Sequence, residues 1–501
     1  MTLYQRLNTH AIQHPDKVAI EWPGGRLSFS ALLGQVARAE AILSRSGTKI
    51  LAVDLENSPD WVAFDVASLK LGICSIPLPP FFSASQLAHI LAASRADGVL
   101  TDNPEHLRQR AGKLLAENVT PIYVGGRILY WIKTRLAGTT AGSAIPESIR
   151  KITFTSGTTG EPKGVMLSWA QMKPVVQSLI TAVSIGMQDR HLALMPLSIL
   201  LENIAGLYAP LWAGATVVLR PVLQLGLRGS AAVDGTTMLD SLSQARATAA
   251  IFTPQMLQGT VEALEARPDT AIHLRFAAVG GAPVSHRLLD RAVSVGLPVF
   301  EGYGLSECAS VVCLNTPGAN RPGSVGKPLP HVQLMVSDTG EITVSGQPFS
   351  GYLGEKRINQ NGRPTGDLGT LDEEGYLYLH GRQRNVFITA FGRNVAPEWV
   401  ERELTVEPAI AQAFVFGESR PYNVAVLVTA GETTAEKIET IVARTNQTLP
   451  DYARITRWFV ADEPFSLTNG ELTGTGRLRR PTLLARYADR IESLYNEAQT
   501  S

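Results

Sequence analysis

The stretch ITFTSGTTGEPKGVMLS, running from Ile152 to Ser168, decides how the rest of the chain is read. Ile152 and Phe154 alternate with polar residues as in a strand. Hydroxyls then crowd between glycines in Thr155, Ser156, Gly157, Thr158, Thr159 and Gly160, ahead of Lys163 and Gly164. Glycines let the backbone turn tightly and bring its N–H groups close to phosphate oxygens, hydroxyls add neutral donors, and a lysine is a compact cation for a triphosphate. The pattern predicts a phosphate-gripping loop. It is not a Walker loop, because Pro162 precedes the lysine where that motif has glycine and Gly164 follows it where Ser or Thr is required. The same composition also suits a solvated loop that binds nothing, and the remaining motifs have to discriminate.

Bulk properties allow a large enzyme. The 501 residues carry 45 acidic and 45 basic side chains and are 45% hydrophobic, enough for more than one domain and without the net charge that draws a protein to nucleic acid. Three cysteines, Cys74, Cys308 and Cys313, form neither a disulfide framework nor a zinc pattern, so free thiols and a cytoplasmic location are expected. The N-terminal residues show no leader pattern and the chain has no transmembrane run. GGRILYWIKTRLAG, Gly125 to Gly138, has the composition of a membrane-surface helix and leaves peripheral membrane contact open. It reads better as a buried face whose Arg and Lys reach solvent.

Apolar runs such as GVMLS, HLALMPL, GATVVL, AAIFT and RFAAVGG alternate with helix-length stretches to about residue 380, predicting an α/β domain with buried strands. Gly340 to Gly381 reads as loop-rich. Beyond it a helix near Pro397–Leu404, strands at Ala413–Phe416 and Val424–Thr429 and a helix around Lys437–Thr445 predict a small α+β domain. The expected division is 1–383 and 384–501, at the charged run GRQRNV from Gly381 to Val386.

Further motifs then fall in order: AAVGGAP with Gly280, Gly281 and Ala282; GYGLSE from Gly302 to Glu307, preceded by Glu301; TGDLG around Asp367; and Arg382. With the Ile152–Ser168 string they resemble the adenylate-forming superfamily, which includes acyl-CoA synthetases, peptide-synthetase adenylation domains and luciferases. The resemblance spans nearly the whole chain. It implies a large α/β N-terminal domain with buried sheets and flanking helices, and a small mobile α+β C-terminal domain. It also implies a two-step reaction: a carboxylate attacks the α-phosphate of ATP to give acyl-adenylate and pyrophosphate, and a thiol then displaces AMP. Implied roles are phosphate binding by Thr155–Gly160 and Lys163, and adenine passage along Gly280, Gly281 and Ala282. Glu301, Gly302, Tyr303, Gly304 and Ser306 would join the nucleotide site, Glu307 would hold magnesium, and Asp367 and Arg382 would reach the ribose. A carboxylate is already a nucleophile, so no catalytic base is needed and the nine histidines need no role. In many members the small domain rotates about a boundary residue, here Arg384 or Asn385.

The resemblance also narrows the acid. Where peptide-synthetase domains hold an ammonium with an acid, Met195 to Gly206 has Ile199, Leu200 and Leu201, which disfavours amino acids. Pro196, Leu197, Ser198 and Glu202 fit the fatty acyl branch, with Ile199 replacing its histidine. A medium- or long-chain fatty acid or other hydrophobic carboxylic acid is expected, with CoA or an acyl carrier protein as thiol acceptor. The family's C-terminal lysine falls at Arg477 in NGELTGTGRLRR, Asn469 to Arg480, and no lysine follows Lys437. Arginine keeps the charge but is planar and forked. Asn385 and Phe391 depart too, where many members have Asp and Gly. Two readings follow: a ligase using Lys163, Glu307 and Arg477, or a nucleotide- or acyl-adenylate-binding sensor with impaired activation.

Overall fold

The computed structural model of the chain describes residues 1–124, 126–136, 145–156, 162–228, 232–282, 284–346, 349–355, 362–473 and 476–496. Two large sheets dominate. In the nine-stranded sheet, the inner strands Val18–Trp22, Thr216–Val218, Arg190–Leu192, Ala249–Phe252, Phe276–Val279 and Val299–Leu305 run parallel, with antiparallel strands at both edges. The seven-stranded sheet ends in the antiparallel hairpin of Ile149–Ser156 and Pro162–Ser168. Their shared core is built from Val, Leu and aromatic side chains of both sheets and of the helices Phe29–Ser46, Pro59–Leu71 and Trp169–Val183. Pro59–Leu71 is buried on nearly every face, as a helix sandwiched within a large α/β protein must be.

Two readings of the sequence need correction. Gly340 to Gly381 is not loop-rich: Glu341–Ser345, Arg363–Leu371 and Leu377–Arg382 join Gln333–Val336 in a four-stranded antiparallel sheet. Its inward side chains, among them Ile342, Val344 and Leu377, cover only a small core with Tyr303 and Val312, so polar outward residues hide the alternation. Arg127–Thr134 is a strand rather than a helix; it pairs with Gly98–Thr101, where Trp131 packs so closely that a Cβ on Gly98 would lie 2.3 Å from its ring.

The C-terminal strands Ile410–Phe416, Asn423–Thr429 and Ile455–Val460 form a three-stranded sheet with helices on both faces. Alternation explains the sandwich: Ala413, Val415, Ala425 and Leu427 face the Pro397–Thr405 and Ala435–Thr448 helices, while Phe414, Val424 and Val426 face Arg480–Asn496. Arg287 pairs with Glu407 across the cleft between this unit and the nine-stranded sheet. The carboxyl ends of the parallel strands open into that cleft, where ligands bind in open α/β sheets.

Candidate active site

The wall of the cleft is set by strand register. Val279 lies beside Glu301, which brings Gly280 against Gly302; a Cβ on Gly280 would sit 3.0 Å from the Gly302 carbonyl oxygen. Gly281 differs: nothing lies within 4 Å of its would-be Cβ, and its φ of +83° is what requires glycine. Asp367 and Arg382 are directly opposite across two antiparallel strands, so their side chains meet in an ion pair of 2.8 Å. The Tyr303 hydroxyl donates to the other Asp367 oxygen at 2.7 Å. Burial, reinforced by the Asp367 charge, raises the Tyr303 phenol well above its ordinary range, which keeps it a donor. Each Asp367 oxygen retains a lone pair for a further hydroxyl.

Arg477 reaches this wall from the C-terminal unit. The turn in which the Thr473 N–H bonds the Arg477 carbonyl projects the guanidinium across the cleft. Its Nε and Nη2 donate to the Gly281 carbonyl at 3.1 and 2.6 Å. The protein packed around the cleft, and then the like charge of Arg382, draw Arg477 below the ordinary arginine range although its side chain stays exposed, and Arg384 is lowered by the same two causes. Three guanidinium groups therefore converge on one cavity wall, an arrangement that an anionic ligand relieves.

Glu307 opens the opposite side. It accepts from the Tyr352 hydroxyl at 2.6 Å and lies 3.9 Å from Arg363, which donates to the same hydroxyl at 2.5 Å. Tyr352 stands there because its segment adds to the Pro162–Ser168 strand: the Leu353 N–H bonds the Gly164 carbonyl and the Met166 N–H bonds that of Gly351. Lys163 does not line the cavity; its ammonium pairs with Glu355 at 2.9 Å and lies 5.1 Å from the Tyr352 ring centroid. Among the described residues no group of three or more acids, histidines or cysteines is arranged around a metal. A single carboxylate, Glu307, fits a magnesium ion whose remaining ligands come from phosphate oxygens and water.

The structure thus gathers Thr155, Gly280, Gly281, Ala282, Glu301, Gly302, Tyr303, Gly304, Ser306, Glu307, Asp367, Arg382 and Arg477 around one cavity of about 1410 Å³. Ser156 closes the strand Ile149–Ser156. Gly157, Thr158, Thr159 and Gly160 lie outside the described residues. Glu301 accepts from the Gly323 N–H at 2.6 Å, and burial pushes its carboxyl up to about 7. Tyr352, Arg363 and Glu355 are absent from the sequence reading; they lie far along the chain from the Glu307 and Lys163 side chains they face, with no local motif to mark them. Burial pushes the Cys74 and Cys308 thiols up to about 12, which leaves them poor nucleophiles.

The family model for "AMP-binding enzyme" matches residues 7–355, and that for "AMP-binding enzyme C-terminal domain" matches 384–499. Long-chain-fatty-acid–CoA ligase FadD15 of Mycobacterium bovis is 25% identical, with 87% of this chain and 86% of that protein aligned. Indoleacetate–CoA ligase of Aromatoleum aromaticum is 28% identical, over 83% and 85%. Among solved structures, the anthranilate CoA ligase AuaEII in complex with anthranoyl-AMP superposes with a TM-score of 0.80 at 20% identity, covering 97% of each chain. The o-succinylbenzoate CoA synthetase of Bacillus subtilis with its acyl-adenylate intermediate gives 0.75 at 24%, over 96% and 98%. These last two likenesses show the shared fold.

Proposed function

The chain belongs to the AMP-binding enzyme family, and from that premise we propose that it activates a hydrophobic carboxylic acid with ATP and transfers the acyl group to the thiol of CoA. The observation that carries this reading is the convergence of Arg382, Arg384 and Arg477 with Asp367 on a cavity whose far side is apolar, including Ile199, Leu200 and Leu201. A charged nucleotide and a greasy acid each find a matching wall. The names of the relatives, fatty acid and indoleacetate ligases, support the acid class.

In the first step a carboxylate oxygen attacks the α-phosphorus and the bond to the β-phosphate oxygen breaks, releasing pyrophosphate. Positioning and charge neutralisation suffice. Tyr303, Asp367 and Arg382 would hold the nucleoside, and Arg477 would leave the Gly281 carbonyl for the α-phosphate oxygens. A magnesium ion at Glu307 would neutralise charge on the phosphates when bound. In the second step the thiolate attacks the acyl carbon and AMP departs.

One observation favours the sensor reading: two of the five N–H donors of Arg477 are already engaged by the Gly281 carbonyl. Pyrophosphate release across a panel of carboxylic acids, with and without CoA, separates the two. The ligase reading expects turnover with aliphatic acids, none with amino acids, and a loss of about a hundredfold in Arg477→Ala, the usual cost of removing a donor to developing charge. A protein that binds ATP but releases pyrophosphate only when Arg477 is replaced by Lys is the sensor.

A further inference from the structure

The cavity does not stop at the nucleotide wall. It continues inward between the nine-stranded sheet and the helix Trp169–Val183, past Ala278, Phe276 and Leu179, to Val183, Asp189 and Arg275. The strand Phe276–Val279 runs along this passage, with Gly280 at the nucleotide end and Arg275 at the other. Its alternation is consistent: Phe276 and Ala278 pack toward the core that holds Leu179 and Val183, while Ala277 and Val279 pack into the opposite core. Small residues on the passage side, Ala278 here and Ala205 and Ala249 on neighbouring elements, leave the space open. His191 is a polar side chain of the cavity lining, and its Nε2 is tied to the fully buried Glu202 at 2.7 Å.

The floor is an ion pair with its hydrogen bonds largely satisfied. Arg275 grips Asp189 with two bonds, Nε to Oδ1 at 2.7 Å and Nη2 to Oδ2 at 2.6 Å. Arg275 also donates to the Val183 and Ser184 carbonyls at 2.9 and 3.1 Å, and Asp189 accepts from the Gly186 N–H and the Thr248 hydroxyl, both at 2.8 Å. A methyl group reaching this pair, in which Asp189 is 10% and Arg275 37% exposed, meets a polar surface with nothing to gain from it.

The strand is therefore a ruler. Five residue steps separate Arg275 from Gly280, and at about 3.3 Å each they span about 16 Å. An extended alkyl chain with bonds of about 1.5 Å advances about 1.25 Å per carbon, so the passage accommodates about twelve carbons. Resting on the ligase reading above for the identity of the site, we infer that the acid is an unbranched alkanoic acid of about twelve carbons, and that the Asp189–Arg275 pair sets its upper length.

Binding of acyl sulfamoyl-adenosines, stable mimics of acyl-adenylates, with acyl chains of six to sixteen carbons tests this without requiring turnover. Affinity should rise about fourfold per methylene to a chain of about twelve carbons and then level or fall. Ala278→Leu should move that break to shorter chains and Arg275→Ala to longer ones, with the ratio of long- to short-chain affinity read within each variant so that a global loss cancels. If Arg275→Ala does not fold, the wild-type profile and Ala278→Leu decide. An unbroken rise to sixteen carbons, an unchanged profile in Ala278→Leu, or no binding of any mimic overturns the inference. Absence of pyrophosphate release alongside a broken chain-length profile would instead sink the ligase reading and leave the ruler standing.

Discussion

Lys151 and Lys163 stand on the two strands of one hairpin, Lys151 opposite Leu167 and Lys163 opposite Thr155, yet they are different chemical objects. Lys151 is 1% exposed; its ammonium donates to Asp65 at 2.8 Å and to Asn203 at 2.7 Å, with Tyr208 donating to the second Asp65 oxygen at 2.5 Å. Burial drives its pKa down and the Asp65 carboxylate opposes that shift. Lys163 is 48% exposed and pairs with Glu355, which is equally wet, beside the Tyr352 ring. The inner lysine ties the Ile149–Ser156 strand to the π-helical turn Glu202–Tyr208, while the outer one is held by a half-exposed ion pair. A lysine that can be recruited is one whose present partner is weak.

The largest expected effect follows from the buried pair. Lys151→Met should destabilise the protein by ~3–5 kcal/mol, because it strands the Asp65 charge in the core. Asp65→Leu on top of it should recover much of that loss, since removing both charges removes the desolvation cost as well. Thermal melting of the two variants checks this. A Lys151→Met protein melting within about 2 °C of wild type would erase the contrast between the two lysines.

Sequence reading found the outer lysine and passed over the inner one, and the reason is physical. Lys163 sits in a run of glycines and hydroxyls whose composition already specifies an anion, whereas Lys151 follows Arg150 in a stretch that looks like an ordinary polar lead-in to a strand. Its partners Asp65 and Asn203 lie 86 and 52 residues away along the chain, beyond any local pattern. The same limit hid Tyr352 and Arg363 behind Glu307, and the Asp189–Arg275 floor of the acyl passage. Residues contributed by short motifs to a shared cleft were legible, as Tyr303, Asp367 and Arg382 show by meeting. Residues that position them through tertiary contact were not. The four-stranded sheet escaped for a related reason: a one-sided, shallow core leaves too few apolar positions per strand to mark the period.

The second prediction inverts the first. Lys163→Met should leave the melting temperature near wild type, because a half-exposed ion pair contributes only about 0–1 kcal/mol. If Lys163 leaves Glu355 for the phosphates as the proposed reaction requires, the variant should nevertheless lower pyrophosphate release by about tenfold or more, because a cation recruited there acts where charge develops. Melting and initial-rate assays on one preparation measure both. A variant with a large loss of stability and unaltered turnover would make Lys163 a second structural lysine.

The smallest effect tests whether Glu355 restrains Lys163. The carboxylate pairs with the ammonium at 2.9 Å, with the Tyr352 ring 5.1 Å away, so a phosphate drawn to Lys163 competes with it. Glu355→Gln keeps the shape and removes the charge that competes. Because exposed pairs contribute about 0.2–1 kcal/mol, ATP should bind more tightly by no more than about fivefold. Screening makes the effect conditional: at about 1 M salt, where the Debye length is ~3 Å, wild type and variant should converge. Titration of ATP at low and high salt measures this. Tighter binding that persists at high salt would mean Glu355 acts through shape rather than charge, and weaker binding in the variant would make Glu355 a contributor to the phosphate site rather than its competitor.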